Sequence, residues 1–136
     1  MPPGIPDDRS YRLVLSIDAK TVRVPRKLAE VALENWGLSR LAPTVALVVT
    51  ELVTNAWKEV PGSEVEIGLY LRGIWLRLEV WDCSNVIPEM PKGLDLEAEG
   101  GRGLWVASHM ADKFGIDPRG GGGKTIWAMW LRDVGT

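Results

Sequence analysis

Two runs of alternating apolar residues, EVEIGLYLR (64–72) and IWLRLEVWD (74–82), lie on either side of Gly73. Alternation with a period of two is typical of strands that bury one face. A glycine between two such runs favours a tight turn, so the pattern predicts an antiparallel hairpin. Any fold that this chain adopts must cover one face of that hairpin with other apolar residues.

The second run of the hairpin ends in a carboxylate on its more apolar face. One row is Leu76, Leu78, Val80 and Asp82, and the other is Trp75, Arg77, Glu79 and Trp81. A buried carboxylate is costly unless a hydrogen-bond donor meets it, so Asp82 is a candidate ligand-binding group. The alternative is that Asp82 caps the turn that follows.

One strand and two helices are predicted before the hairpin. The run YRLVLSI (11–17) is short and rich in strand formers. Apolar residues recur at helical intervals over about 24–36, and Gly37 follows at the position of a C-terminal cap. A second helical stripe covers about 43–60, and a Pro-Gly pair ends it.

The second predicted helix carries a polar face inside its apolar run. Glu51, Asn55 and Lys58 fall within roughly 60° of each other on a helical wheel, away from the centre of the apolar stripe. One interpretation is a solvated edge with a weak Glu–Lys pair. The other is a helix face that performs chemistry.

A long loop and a third helix are predicted after the hairpin. Residues 84–100 contain two prolines, two glycines and four acids without a sustained period, and loops of this length are often functional. A further helix, with Leu104, Ala107, Ala111 and Phe114 on one side, begins just behind Gly101-Arg102-Gly103. Glycines there let backbone N–H groups approach a phosphate, although glycine before a helix is also ordinary.

The four glycines 120–123 predict a hairpin loop before a strand at 124–132. In this strand one side carries Thr125, Trp127, Met129 and Leu131. If Thr125 points to the same side of the sheet as Asp82, alternation sends Trp75, Trp81, Ile126 and Trp130 to the opposite side. There we expect an exposed patch suited to a homodimer or another partner.

Composition narrows the class of protein. The 136 residues fit one domain, expected over 11–136 behind a disordered N-terminus at 1–10. With 16 Lys and Arg against 18 Asp and Glu, no basic patch suggests nucleic acid or an anionic membrane as a partner. A lone Cys83 and a lone His109 make no zinc cluster, and neither a signal peptide nor a membrane span is visible. We expect a soluble cytoplasmic protein.

Four motifs occur in a fixed order: ELVTN (51–55) on a helix, a strand that ends in Asp82, GRGL (101–104) at a helix start, and GGKTIW (122–127) in the final strand. Together they resemble the GHKL, or Bergerat-fold, ATPases, and most of all the small anti-sigma-factor serine/threonine kinases. The resemblance covers nearly the whole chain. It implies an α/β fold, an α+β two-layer sandwich in which a mostly antiparallel sheet carries helices on one face and residues 84–100 form an ATP lid.

The resemblance also implies a role for each motif residue. Glu51 is the expected general base, which takes the proton of a hydroxyl nucleophile, and Asn55 is the expected Mg²⁺ ligand. Asp82 is expected to accept a hydrogen bond from the adenine amino group, with Thr125 supporting that contact. The ATP phosphates are expected to meet backbone N–H groups and two cations, from Gly101, Gly103, Leu104, Lys58 and Arg102.

The chain departs from the family pattern at two places. No glycine follows Asp82 in Cys83-Ser84-Asn85-Val86, and Glu99 stands where better-known anti-sigma kinases carry an arginine. Arginine charge stabilises phosphoryl transfer, and Arg102 is the candidate substitute.

By resemblance, the chain is expected to bind a sigma factor and to phosphorylate an anti-anti-sigma (STAS-type) partner on serine, using ATP and Mg²⁺. The alternative is an ATP-gated interaction module without catalysis. The catalytic domain of a histidine kinase is less favoured, because no dimerisation helix with a phospho-acceptor is visible and His109 lies in an amphipathic helix, where a partly buried packing role is expected.

Overall fold

The structure is a computed structural model, and it describes residues 9–90 and 102–132. The elements, in chain order, are β1 (Ser10–Ser16), α1 (Arg23–Asn35), a 3₁₀ turn (Ser39–Leu41), α2 (Ala42–Glu59), β2 (Glu64–Arg72), β3 (Trp75–Asp82), α3 (Arg102–Met110), β4 (Lys113–Pro118) and β5 (Lys124–Leu131). The predicted hairpin and the first two helices are confirmed to within one or two residues. Most of the expected disordered N-terminus and lid lie outside the described residues, and Ser10 already belongs to β1.

The five strands form one antiparallel sheet in the order β1-β2-β3-β5-β4. Alternate residues of β2 and β3 are buried, and they share one hydrophobic core with α1, α2 and α3. The predicted fold class, an α+β sandwich with a mostly antiparallel sheet and a helical layer, is confirmed. None of the helices in the described part of the chain is long and apolar enough to cross a membrane.

The end of α1 shows how local sequence sets an element boundary. Gly37 has a φ of 72°, a left-handed conformation that glycine adopts without strain. The amide of Leu38 then donates to the carbonyl of Leu33 at 2.8 Å, the long bond of a Schellman cap. The predicted cap at Gly37 is therefore confirmed.

The side of β5 that packs against the core is the side that the sequence predicts to face outward. Residues paired across antiparallel strands share a face. Val80 pairs with Ile126 and Leu76 with Trp130, and Ile126 and Trp130 are 1% and 3% exposed. The prediction that Ile126 and Trp130 lie on a bare outer face is wrong. The run TIWAMWL is apolar on both sides, so its alternation does not tell which side is buried.

The segment after α3 also differs from expectation. The helix ends at Met110, and Ala111 and Phe114, expected on it, lie beyond it, with Phe114 in the edge strand β4. The indole Nε1 of Trp130 donates to the Met110 carbonyl at 2.8 Å, and the Asp112 amide donates to the Met129 carbonyl at 2.9 Å. These contacts with β5 turn the chain from helix to strand, and a local pattern cannot show them.

Candidate functional site

The polar face of α2 lines a cavity of about 310 Å³. Glu51 and Asn55 are half-buried on it and Lys58 is exposed. The opposite wall is the first turn of α3. The lining residues are Glu51, Thr54, Asn55, Lys58, Arg102, Gly103, Leu104 and Val106. The structure therefore brings together six of the predicted site residues from two helices that are far apart in sequence.

Asn55 lines this cavity and carries an unpaired side-chain oxygen. Its Oδ1 is buried and has no hydrogen-bond partner among the described residues. A buried acceptor without a partner costs about 1–3 kcal/mol, so such atoms in a folded protein call for an explanation. Amide oxygens are ligands of Mg²⁺, and a carboxylate one helical turn away completes a polar pair. The residues present fit a metal-bound phosphate group.

The start of α3 lies directly against Glu51. A Cβ atom placed on Gly103 would collide with Glu51 Oε2, so a larger residue here would require the Glu51 carboxylate to move. The first N–H groups of a helix have no partner within the helix, and they favour anions. Lys58 and Arg102 add two cations at the rim. The cavity thus combines a carboxylate, an orphaned amide oxygen, a helix N-terminus and positive charge.

Asp82 lies in a different environment from the one expected. It is 1% exposed, at the end of β3. Its Oδ1 accepts from the amide of Ser84 at 2.9 Å, so the turn-capping alternative is observed. Both of its oxygens also accept from Lys124 Nζ at 2.9 Å. Asp82 is not among the residues that line the cavity beside Glu51.

Lys124 completes a buried ionic network that sequence reasoning missed. It is fully buried, and its ammonium group also donates to Glu59 Oε2 at 2.5 Å, at the last residue of α2. The cross-strand register reveals this network, because Lys124 pairs with Asp82. The sequence predicts the opposite phase for β5, which places Lys124 on the outer face and away from Asp82.

Three predicted positions outside the cavity have separate outcomes. Thr125 pairs with Trp81 on the outer face and accepts a hydrogen bond from Arg119 Nε at 2.8 Å. The expectation that Thr125 shares the face of Asp82 is therefore wrong. Gly101 lies outside the described residues. His109 is exposed and stacks on Trp105 with ring centroids 4.0 Å apart, so the expected partly buried position is wrong.

The sequence matches the family model of the histidine kinase-like ATPase domain over residues 15–130. The chain belongs to this ATPase family. The resemblance to the GHKL ATPases is thereby confirmed, and domains of this family bind ATP. No curated protein matches this histidine kinase-like ATPase.

Among solved structures, the RsbU and RsbW domains of Rv1364c from Mycobacterium tuberculosis share the fold, with a TM-score of 0.62 and 19% sequence identity. The match covers 93% of this histidine kinase-like ATPase and 35% of the mycobacterial chain. The present chain therefore spans about a third of the length of that solved chain. At 19% identity, the likeness shows a shared fold.

Proposed function

We propose that this histidine kinase-like ATPase is an ATP- and Mg²⁺-dependent serine/threonine protein kinase of the anti-sigma-factor type. It binds a sigma factor, and it phosphorylates an anti-anti-sigma (STAS-type) partner on serine. The observation that carries the proposal is the orphaned, buried Asn55 Oδ1, one helical turn from Glu51 in a cavity that the N-terminus of α3 closes. The shared fold with a chain that contains an RsbW domain supports the same assignment.

Each residue of the cavity has a separate task in this proposal. The Glu51 carboxylate takes the proton from the serine hydroxyl of the partner, and Asn55 Oδ1 holds the metal. Backbone N–H groups of α3 and the cations Lys58 and Arg102 orient the phosphates. When bound, Mg²⁺ neutralises the charge that develops on the transferred phosphoryl group.

The partner surface is proposed to be the outer face of the sheet. Three half-buried indoles lie there, from Trp75, Trp81 and Trp127. Arg77 contributes a cation–π contact with Trp127 and an ion pair with Glu79. Aromatic rings mixed with arginine are typical of interface centres, so this face suits a protein partner or a second copy of the chain.

A specific observation favours a second candidate function, an ATP-gated interaction module without phosphoryl transfer. In the family, an Asp at the position of Asp82 is expected to read adenine, but here both of its carboxylate oxygens are bonded to Lys124. Weak ATP binding would suit an ATP-gated interaction module better than a kinase, which must bind ATP in every catalytic cycle.

Transfer of labelled γ-phosphate from ATP to a purified STAS-type partner tests the proposal. The kinase is expected to label the partner on serine, and only when Mg²⁺ is present. A partner variant with alanine at the labelled serine is the control. If the partner binds only in the presence of ATP and receives no labelled phosphate, the interaction module would be established instead.

A further inference from the structure

Lys124 donates hydrogen bonds to both oxygens of Asp82, the carboxylate that by resemblance is expected to read adenine. We propose that the network of Glu59, Lys124 and Asp82 closes the Asp82 carboxylate to the base, so that the protein holds nucleoside triphosphates by their phosphate end and discriminates little between adenine and guanine. Lys124 is thus a specificity-determining residue. The inference rests on the proposed function, because it concerns the nucleotide site of that function.

The hydrogen bonds of the network leave little capacity for a ligand. An ammonium group has three donors and no acceptor, and a carboxylate has about four acceptor positions. The three donors of Lys124 meet Glu59 Oε2 and the two Asp82 oxygens, at 2.5, 2.9 and 2.9 Å. The Ser84 amide takes a further position on Asp82 Oδ1. The lysine is saturated, and one acceptor position is left on Asp82 Oδ2.

Burial makes the network difficult to displace. Asp82 is 1% exposed and Lys124 is fully buried, so a base reaches the carboxylate only after the side chains move. A base amino group that took the place of the ammonium would leave Lys124 charged and short of partners in the interior, which is strongly unfavourable. A neutral hydrogen bond from a base does not compensate for that loss.

The backbone fixes Lys124 in this position. Asp82 and Lys124 are directly paired in the register of β3 and β5. A Cβ atom on the preceding residue, Gly123, would collide with the Asp82 carbonyl oxygen, so the two strands approach closely here. Glu59 reaches the ammonium from the end of α2, which joins the helical layer to the sheet. This lysine is therefore part of the fold and not a mobile surface side chain.

Phosphate recognition is spatially separate from this network. The cavity beside Glu51 and Asn55 has its own lining residues, and neither Asp82 nor Lys124 is among them. A site that reads a base by buried hydrogen bonds discriminates by roughly 10⁴-fold, whereas a site that does not read it has no comparable preference. ATP and GTP make the same phosphate contacts. We therefore expect their affinities to differ by less than about 10-fold.

The first experiment uses the wild-type protein. Calorimetric titration with ATP, GTP and inorganic tripolyphosphate, each with Mg²⁺, is expected to give ATP and GTP affinities within about 10-fold of each other. A preference for ATP of roughly 10³-fold or more would overturn the inference and leave the proposed function intact. If neither nucleotide nor tripolyphosphate bound, both would be overturned.

The second experiment uses Lys124→Met, which keeps the length of the side chain and removes the ammonium group. ATP is expected to bind at least about 10-fold tighter than to wild type, with GTP affinity unchanged. The matched control is Lys113→Met, at the start of β4, which should bind both nucleotides as wild type does. Unchanged ATP preference in folded Lys124→Met would overturn the role of Lys124. If that variant does not fold, the double variant Glu59→Gln with Lys124→Met decides, because it removes Lys124 from Asp82 and leaves no charge on Glu59 without a partner; the same gain in ATP preference is expected.

Discussion

Glu51 and Asn55 are one helical turn apart on α2, and the proposed function gives them separable tasks. Glu51→Ala is expected to bind ATP as wild type does and to lose phosphoryl transfer by roughly 10²-fold or more, because a general base acts on the proton alone. Asn55→Ala is expected to lose both binding and transfer. Calorimetry and the labelled-phosphate assay measure the two quantities.

The stability of Asn55→Ala serves as the control for this pair. Because Asn55 Oδ1 has no hydrogen bond among the described residues, its removal should leave the free energy of unfolding unchanged or raise it by up to about 1–3 kcal/mol. A strongly destabilised Asn55→Ala would indicate a structural role for the amide. Wild-type transfer rates in Glu51→Ala would remove Glu51 as the base.

Gly103 provides a second test at the residue scale. In Gly103→Ala the new methyl group would collide with Glu51 Oε2 and displace that carboxylate. We expect phosphoryl transfer to fall by about 10²-fold, since small misplacements of a catalytic group have effects of this size. Gly120→Ala is the matched control, because a Cβ there meets nothing within 4 Å. Equal transfer rates in the two variants would show that the contact with Glu51 is unimportant.

Asp82→Asn is expected to affect stability more than nucleotide binding. It removes the charge that pairs with buried Lys124, and breaking a buried ion pair costs about 3 kcal/mol or more. Urea unfolding should show this loss, and the ATP affinity of the folded protein should change by less than about 3-fold. An abolished ATP affinity without a loss of stability would return Asp82 to the role of an adenine acceptor.

The sequence predicts residues well where their spacing is local. Glu51 and Asn55 lie one helical turn apart, and Gly103 immediately precedes an apolar helical pattern, so a single segment reveals each of them. Glu59 and Lys124 are 65 positions apart and meet only because α2, β3 and β5 are packed together. Asp82 was correctly predicted to be buried, but its actual partner depends on a cross-strand register.

At the level of elements, the outer face of the sheet is the proposed partner surface. Trp75→Glu is expected to abolish partner binding or dimer formation and to leave the fold intact, because Trp75 lies on that face at the start of β3. Ile74→Glu, in the exposed β2–β3 turn, is the control with unchanged binding. Sedimentation and a partner-binding assay measure the outcome. A monomeric wild type whose partner binding survives Trp75→Glu would exclude this face.

A second prediction concerns the side of β5 that faces the core. Trp130 is 3% exposed, and it packs in the core. Trp130→Glu is therefore expected to destabilise the protein by about 4 kcal/mol or more, since it removes a core indole and buries a charge. Urea unfolding measures this change. A Trp130→Glu protein as stable as wild type would contradict the observed register.

Elements differed in how clearly the sequence specified them. In β2 and β3 apolar residues alternate over nearly the whole length, and the apolar stripe of α2 is long. The local sequence is therefore enough to predict these three elements. In contrast, β4 contains Gly115, Asp117 and Pro118, which are poor strand formers, and pairing with β5 on one side holds it in place. The apolar residues Ala111 and Phe114 also continue the helical spacing of α3, which conceals the strand.

For the whole molecule, the order of strands predicts a gradient of stability. The central strand β3 pairs on both sides, with β2 and β5, whereas β1 and β4 each pair on one side in the described sheet. Native-state hydrogen exchange should therefore be slowest for amides of β3 and its neighbours and faster for β4. Protection of β4 equal to that of β3 would indicate an additional strand or partner at that edge.

The position of β5 between β3 and β4 has a consequence for synthesis on the ribosome. Both neighbours are antiparallel to β5, so β3 and β4 run in the same direction, with a gap between them that β5 fills. As translation proceeds from the N-terminus, β3, α3 and β4 emerge first, while Lys124, Ile126 and Trp130 are still to come. In that interval Asp82 lacks its lysine and two strand edges lie open to foreign chains. A nascent chain of this protein thus depends on prompt arrival of β5, and a chaperone that shields the gap would raise its yield.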